Sequence, residues 1–197
     1  MQKTTGSRRD QMLLFARNFL KHPRMLGSVI PSSRFLIDGL LKHLDFNRAR
    51  VIVEYGPGVG TITTHVLKRM HPDAKLIVIE MNDDFVRFLR ENVPDPRLHV
   101  VHGSAADVGP ELKKLGHDRA DYAISGIPFS TMPPEVRADI LQKTNAVLNP
   151  QGAFLVYQFS PSIGMHLERA FGQVTRTFEP LNIPPAQLYV ARPRAVA

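Results

Sequence analysis

The chain has 197 residues, 43% hydrophobic and 22% charged, which is enough for one domain with a real core and too few for two comfortable ones. No apolar run approaches the ~18–20 residues that span a bilayer, and Arg8, Arg9, Asp10, Arg17 and Lys21 leave no clean apolar segment for a cleavable signal. The absence of cysteine excludes disulfides, thiolate metal sites and a Cys nucleophile; a reducing cytoplasm is compatible, and no metal centre is expected.

The net charge of +7 is unevenly placed. Residues 1–50 hold ten Lys or Arg against three Asp, whereas residues 51–197 hold 15 basic and 15 acidic groups. A basic N-terminal quarter points to an anionic partner, either nucleic acid or a lipid surface. In chain order, Arg9 to His22 reads as a helix. Met12, Phe15, Phe19 and Leu20 form its apolar stripe, Arg17 and Lys21 face the other way, and Pro23 closes it. A second helix is predicted from Ser32 or Ser33 to Leu44, with the serines as N-cap. Strands follow at Val51–Tyr55, Lys75–Glu80, Leu98–His102, Ala120–Ile124 and Ala153–Phe159, with helices near 61–71, 83–92, 107–115 and 134–148. Such alternation implies an α/β fold whose parallel sheet is covered on both faces. Val174–Phe178 and Leu188–Ala191 then read as a closing antiparallel pair, bringing the strand count to seven. The chain divides into an N-terminal helical extension, residues 1–49, and a domain, residues 50–197.

The first strand runs into a turn holding Gly56, Gly58 and Gly60, where a backbone without Cβ atoms lets a ligand approach. Glu54 stands just ahead of the turn, and Glu80 ends the second strand, a position suited to hydrogen-bonding a ribose diol. An acid directly before the turn repels a pyrophosphate but suits a cationic amino-acid moiety. Here the chain resembles the class I S-adenosylmethionine-dependent methyltransferases, over roughly residues 50–192. The resemblance implies a Rossmann-like, mostly parallel seven-stranded sheet. Glu54 and the glycines would surround the methionine end, Glu80 the ribose, and Met81 the adenine, with S-adenosylhomocysteine as the product. After strand three this chain has Gly103-Ser104-Ala105-Ala106-Asp107, so either Ser104 or Asp107 takes the adenine amine, with Ala105 beside them.

At the end of strand four, SGIPFS (125–130) resembles the Asn-x-Pro-(Tyr/Phe) signature that grips a planar nucleobase amine, but Gly126 replaces the Asn. Only Phe129 retains an apolar face. Asn182-Ile183-Pro184-Pro185 repeats the pattern in another loop. An aliphatic amine suits this site better, since it has no ring to clamp. Its reference pKa near ~10.4 leaves fewer than about one in a thousand neutral at pH 7, so burial and a polar neighbour are needed. Tyr157, ending strand five, is the candidate to orient or deprotonate it; an ordinary core tyrosine is the alternative reading.

The segments PSSRFL (31–36), EYGPGVG (54–60), GIPF (126–129) and NIPPA (182–186), behind a basic amphipathic helix, together resemble bacterial phospholipid N-methyltransferases. That resemblance implies stepwise conversion of phosphatidylethanolamine toward phosphatidylcholine by a cytoplasmic protein, peripheral on the cytoplasmic face of the inner membrane. It further implies that helix 9–22 (Phe15, Arg17, Phe19, Leu20, Lys21, with Arg24 after it) meets anionic phospholipid. PSSRFL would lid the pocket, with Ser33 or Arg34 meeting a lipid phosphate or the cofactor carboxylate. Two other readings stay open: an RNA adenine N6-methyltransferase of the ribosomal dimethylase kind, and a non-catalytic membrane-binding module. A nucleic-acid partner is not expected, because residues beyond 50 are neutral overall. The sequence fixes neither the general base nor the oligomeric state.

Overall fold

The computed structural model describes residues 32–194. The predicted helix 9–22, with Phe15, Arg17, Phe19, Leu20 and Lys21, lies outside the described residues, as does Arg24. The first described helix, α1 (Arg34–Leu41), leads into an alternating series: β1 (Val51–Tyr55), α2 (Thr61–Arg69), β2 (Lys75–Glu80), α3 (Asp83–Asn92), β3 (Leu98–His102), α4 (Val108–Lys114) and β4 (Ala120–Ser125). Next come α5 (Pro134–Val147), β5 (Leu148–Gln158), α6 (Gly164–Ala170), β6 (Gln173–Glu179) and β7 (Ala186–Arg192).

The seven strands form one sheet in the order β3-β2-β1-β4-β5-β7-β6, and β7 alone runs antiparallel to its neighbours. Alternate residues of each strand face opposite sides. Ile52, Leu76, Val78, Ile124, Leu155 and Leu188 pack under α1, α2 and α3. Val53, Tyr55, Ile77, Ala123, Phe154 and Val156 pack under α4, α5 and α6. Both faces are covered, so the central strands are continuously apolar until a charge is required.

Helix α1 begins at Ser33, whose hydroxyl accepts from the Leu36 N–H at 3.2 Å, and it buries Leu36, Ile37, Leu40 and Leu41 in the same core as the sheet. Residues 34–44 therefore pack within the domain, not in an extension outside it. The helix stops at Leu41, short of the predicted Leu44, because His43 and Leu44 tighten into bonds with Leu40 and Leu41 three residues back. Strand β5 starts five residues earlier than predicted. Asn149-Pro150-Gln151-Gly152, a turn by composition, joins the ladder as an irregularity beside Ala120 and Tyr122. Asp121 holds it there, accepting from Asn149 Nδ2 (2.7 Å) and from the Arg50 and Val51 N–H groups (2.7 and 3.0 Å). Helix α6, at seven residues, was too short to leave a periodic signal.

Candidate active site

The strand order reverses between β1 and β4, so the crevice outside their carboxyl ends is where an open α/β sheet binds ligands. From β1, Glu54 enters the side of the sheet that faces α2 and is 3% exposed. Its carboxylate accepts from the Thr63 hydroxyl at 2.7 Å, and no described Lys, Arg or His pairs with it. Burial lifts this carboxyl to about 7, with the Thr63 bonds opposing and Glu80 adding to the rise. A buried acid without a cation is a site made for a positive ligand. Gly56, Gly58 and Gly60 all adopt positive φ (65°, 56° and 77°), which non-glycine residues adopt only with strain. A Cβ on Gly56 would also lie 2.5 Å from Ile127 Cγ2, because the glycine turn and the β4–α5 loop interlock.

Glu80 is likewise buried. One of its oxygens accepts from Gly58 N–H at 3.1 Å and the other from Asn82 N–H at 2.9 Å. Burial raises its pKa against these bonds, a further one from Met81 N–H, and the attraction of His102. The carboxylate thus braces the glycine turn from β2. Three of its four lone-pair sites are engaged by these backbone donors, which leaves one toward a ribose hydroxyl. Met81, expected against adenine, is 70% exposed at the rim. Ser104 spends its hydroxyl as a cap, accepting from Ala106 N–H at 3.1 Å, while Ala105 is buried. Asp107 is exposed and turns its carboxylate back over Gly103. Of the two candidates for the adenine amine, Ser104 is engaged as a cap and Asp107 presents an exposed carboxylate.

At the end of β4, Gly126 stands across from Tyr157 of β5. A Cβ on Gly126 would lie 2.1 Å from the Tyr157 hydroxyl and 2.4 Å from Cζ. The phenol fills the volume that an Asn side chain would occupy. This accounts for the glycine: the chain has not merely lost an amide but put a hydroxyl in its place. Burial pushes the phenol up to about 12, with a hydrogen bond to Ser32 opposing and Glu54 adding to the rise. At neutral pH the phenol therefore keeps its proton. A protonated phenol can accept from an amine N–H. Phe129 corrects an expectation. Its ring is fully buried, edge-on to Phe154 at 6.4 Å, in the core under α5, and presents no wall to the crevice. Phe129 opens a short 3-10 helix, Phe129–Thr131, whose other two residues are exposed.

Asn182, also grouped with the catalytic residues on sequence, has another duty. Its Oδ1 accepts from Ser33 N–H at 2.9 Å and its Nδ2 donates to the Pro184 carbonyl at 2.7 Å. It ties the start of α1 to the β6–β7 loop, and Ser32 so held reaches Tyr157. The Ser33 hydroxyl caps α1. Arg34 is exposed, its guanidinium 5.0 Å over the Phe35 ring. Sequence reasoning missed Ser32 and Thr63. Nothing local distinguishes Ser32 from its neighbour, and Thr63 meets Glu54 only because the glycine turn folds α2 back along β1. Two surface clefts, one by Arg48 and Asn149 and one by Gln142 and His166, lie away from these strand ends.

Comparison with known proteins settles what such a sheet and crevice belong to. A family model described as ribosomal RNA adenine dimethylase matches residues 20–142, more than half the chain. The chain belongs to that family of S-adenosylmethionine-dependent methyltransferases. This methyltransferase is 36% identical over 181 residues to an ornithine lipid N-methyltransferase of Singulisphaera acidiphila, covering 91% of this chain and 94% of that protein. It is 30% identical over 125 residues to ribosomal RNA small subunit methyltransferase A of Mycoplasma mycoides, covering 64% of this chain but only 44% of that protein. The methyltransferase also superposes on the crystal structure of Burkholderia thailandensis 1,6-didemethyltoxoflavin-N1-methyltransferase, which holds S-adenosylhomocysteine. The TM-score is 0.64 at 15% identity, over 98% of this chain and 93% of that one. A methyltransferase of Aquifex aeolicus gives 0.62, also at 15% identity, over 79% and 88%. At such identity the likeness speaks to the fold alone. The residues present fit S-adenosylmethionine: an uncompensated buried acid for its positive end, positive-φ glycines for close approach, and a strand-end acid for its ribose.

Proposed function

We propose that this methyltransferase transfers methyl groups to the headgroup amine of a membrane lipid. Phosphatidylethanolamine and its methylated intermediates, leading toward phosphatidylcholine, are the acceptors implied by the resemblance to phospholipid N-methyltransferases, and the protein would work peripherally at an anionic membrane surface. The observation that carries this reading is the Tyr157 hydroxyl in the Gly126 space. A planar nucleobase amine needs an amide-like pair of acceptors, whereas a tetrahedral alkylammonium needs one lone pair and room to rotate. The protonated phenol offers that lone pair to an amine N–H. S-adenosylmethionine, when bound, would supply an electrophilic sulfonium methyl; the acceptor would first give up a proton to water, and Tyr157 would hold the resulting free amine with its lone pair directed at that methyl.

The span of the relatives supports the same choice. The family model ends at residue 142, before β5, whereas an alignment of 181 residues to the lipid enzyme necessarily runs through Tyr157. The second reading, RNA adenine methylation, is favoured by the family model itself. One assay separates them: labelled S-adenosylmethionine offered with vesicles of phosphatidylethanolamine, vesicles containing ornithine lipid, or undermethylated ribosomal RNA. Label in lipid is expected. Label in ornithine lipid alone would move the acceptor to another lipid amine, and label in RNA alone would overturn the lipid reading.

A further inference from the structure

Among the described residues, the large apolar side chains left exposed are not scattered. Met81 follows the last residue of β2, Val136 sits in the first turn of α5 after β4, and Met165 in the first turn of α6 after β5. Phe178 is next to last in β6, which runs parallel to β5, and Phe35 opens α1 where Asn182 ties it to the β6–β7 loop. Leu181 and Ile183, 59% and 85% exposed, tip that loop. All seven lie at the carboxyl end of the sheet, around the mouth of the crevice. The opposite end presents Asp45, Arg48, Arg50, Asp118, Arg119 and Gln151. Single exposed apolar residues need no explanation, but their collection on one end does.

We propose that this end is a bilayer-docking face, with the β6–β7 loop as the part that enters the apolar edge of the membrane. The proposal rests on the lipid-acceptor reading and gives it a geometry. The apolar groups surround the mouth from both faces of the sheet instead of forming one flat patch, as suits a surface pressed end-on into lipid. A second copy of the chain on the same end would seal the crevice against any acceptor. Charge agrees: residues 1–31 hold six Lys or Arg against one Asp, and they join the domain at Ser32, on this end. Cationic sequence that enters the domain at its apolar end complements an anionic interface. The loop also connects to the reaction centre through direct contacts, since Asn182 holds Ser33 and the adjacent Ser32 bonds Tyr157.

The chain has no tryptophan, so a single introduced one reports its own surroundings. Leu181→Trp and Ile183→Trp in the full chain should shift to the blue on vesicles of phosphatidylglycerol and phosphatidylethanolamine, and brominated lipid should quench them. Gln151→Trp, exposed at the opposite end, should do neither. The pair Leu181→Asp/Ile183→Asp should weaken vesicle binding about tenfold or more per side chain while keeping wild-type affinity for S-adenosylhomocysteine, the check that it folds. Vesicle-bound protein whose tryptophans at 181 and 183 neither shift nor quench, or an Asp pair that binds vesicles as well as wild type, overturns the docking face. A blue shift that follows protein concentration without lipid overturns it in favour of a second copy. Methylation of detergent-dispersed lipid is read separately. If that fails too, the acceptor reading falls; if it succeeds, only the docking geometry does.

Discussion

Glu54 carries the clearest consequence at the scale of single residues. Its carboxyl is held near 7 in the fold against 4.5 for an unperturbed group. Between those values the folded chain keeps a proton that the unfolded chain has released, so stability falls as pH rises through that window and levels above it. Glu80, raised in the same direction, adds to the slope. Glu54→Gln should therefore stabilise the ligand-free protein above pH 7 by on the order of 1–3 kcal/mol, read as a higher melting temperature. It should also weaken S-adenosylmethionine binding. The cation of the ligand favours ionised Glu54, so wild-type affinity should climb from pH 6 to pH 8 and the variant's should not; calorimetry across that range decides. Gly126 gives the second test. Gly126→Ala drives a methyl into the Tyr157 ring and should cost about 1–3 kcal/mol. In a Tyr157→Ala background the same change should be nearly neutral, and a double-mutant cycle by thermal unfolding reads the coupling. Tyr157→Phe should lower kcat on the lipid amine and leave cofactor affinity unchanged.

At the scale of elements, the start of α1 and the β6–β7 loop act as one unit because Asn182 is shared between them. Asn182→Ala leaves the part-buried Ser33 N–H without its acceptor, a loss of about 1 kcal/mol. It should also free Ser32 from Tyr157, so methyl transfer should fall while cofactor affinity holds, as measured by single-turnover kinetics beside a binding titration. Three of the seven strands, β1, β2 and β3, match their predicted bounds, because buried parallel strands read as unbroken apolar runs between polar turns. The N-terminal half of β5 was hidden by its composition. Pro150 and Gly152 signal a turn, and only Asp121, brought from β4, keeps that segment in the ladder.

The whole molecule is two-ended. Its exposed large apolar groups lie where the strands end, interleaved with charged groups such as Arg34, Asp83 and Asp107, beside a crevice with two buried acids. Removal of residues 1–22 takes away five of the basic groups and should reduce vesicle binding without altering S-adenosylhomocysteine affinity, as judged by vesicle sedimentation and calorimetry. No helix of the described residues is long and apolar enough to cross a membrane.

Local spacing alone carried the alternation of strand and helix, the glycine turn, and the acids at Glu54 and Glu80. Each is a short-range pattern, set by chain geometry over a few residues. The duties of Gly126, Phe129, Tyr157 and Asn182 were decided only by tertiary structure. Their partners are Tyr157 for Gly126, Phe154 for Phe129, and Ser33 for Asn182, and these come from distant parts of the chain. A glycine shows in sequence that a side chain is missing; only the folded sheet shows what has taken its volume.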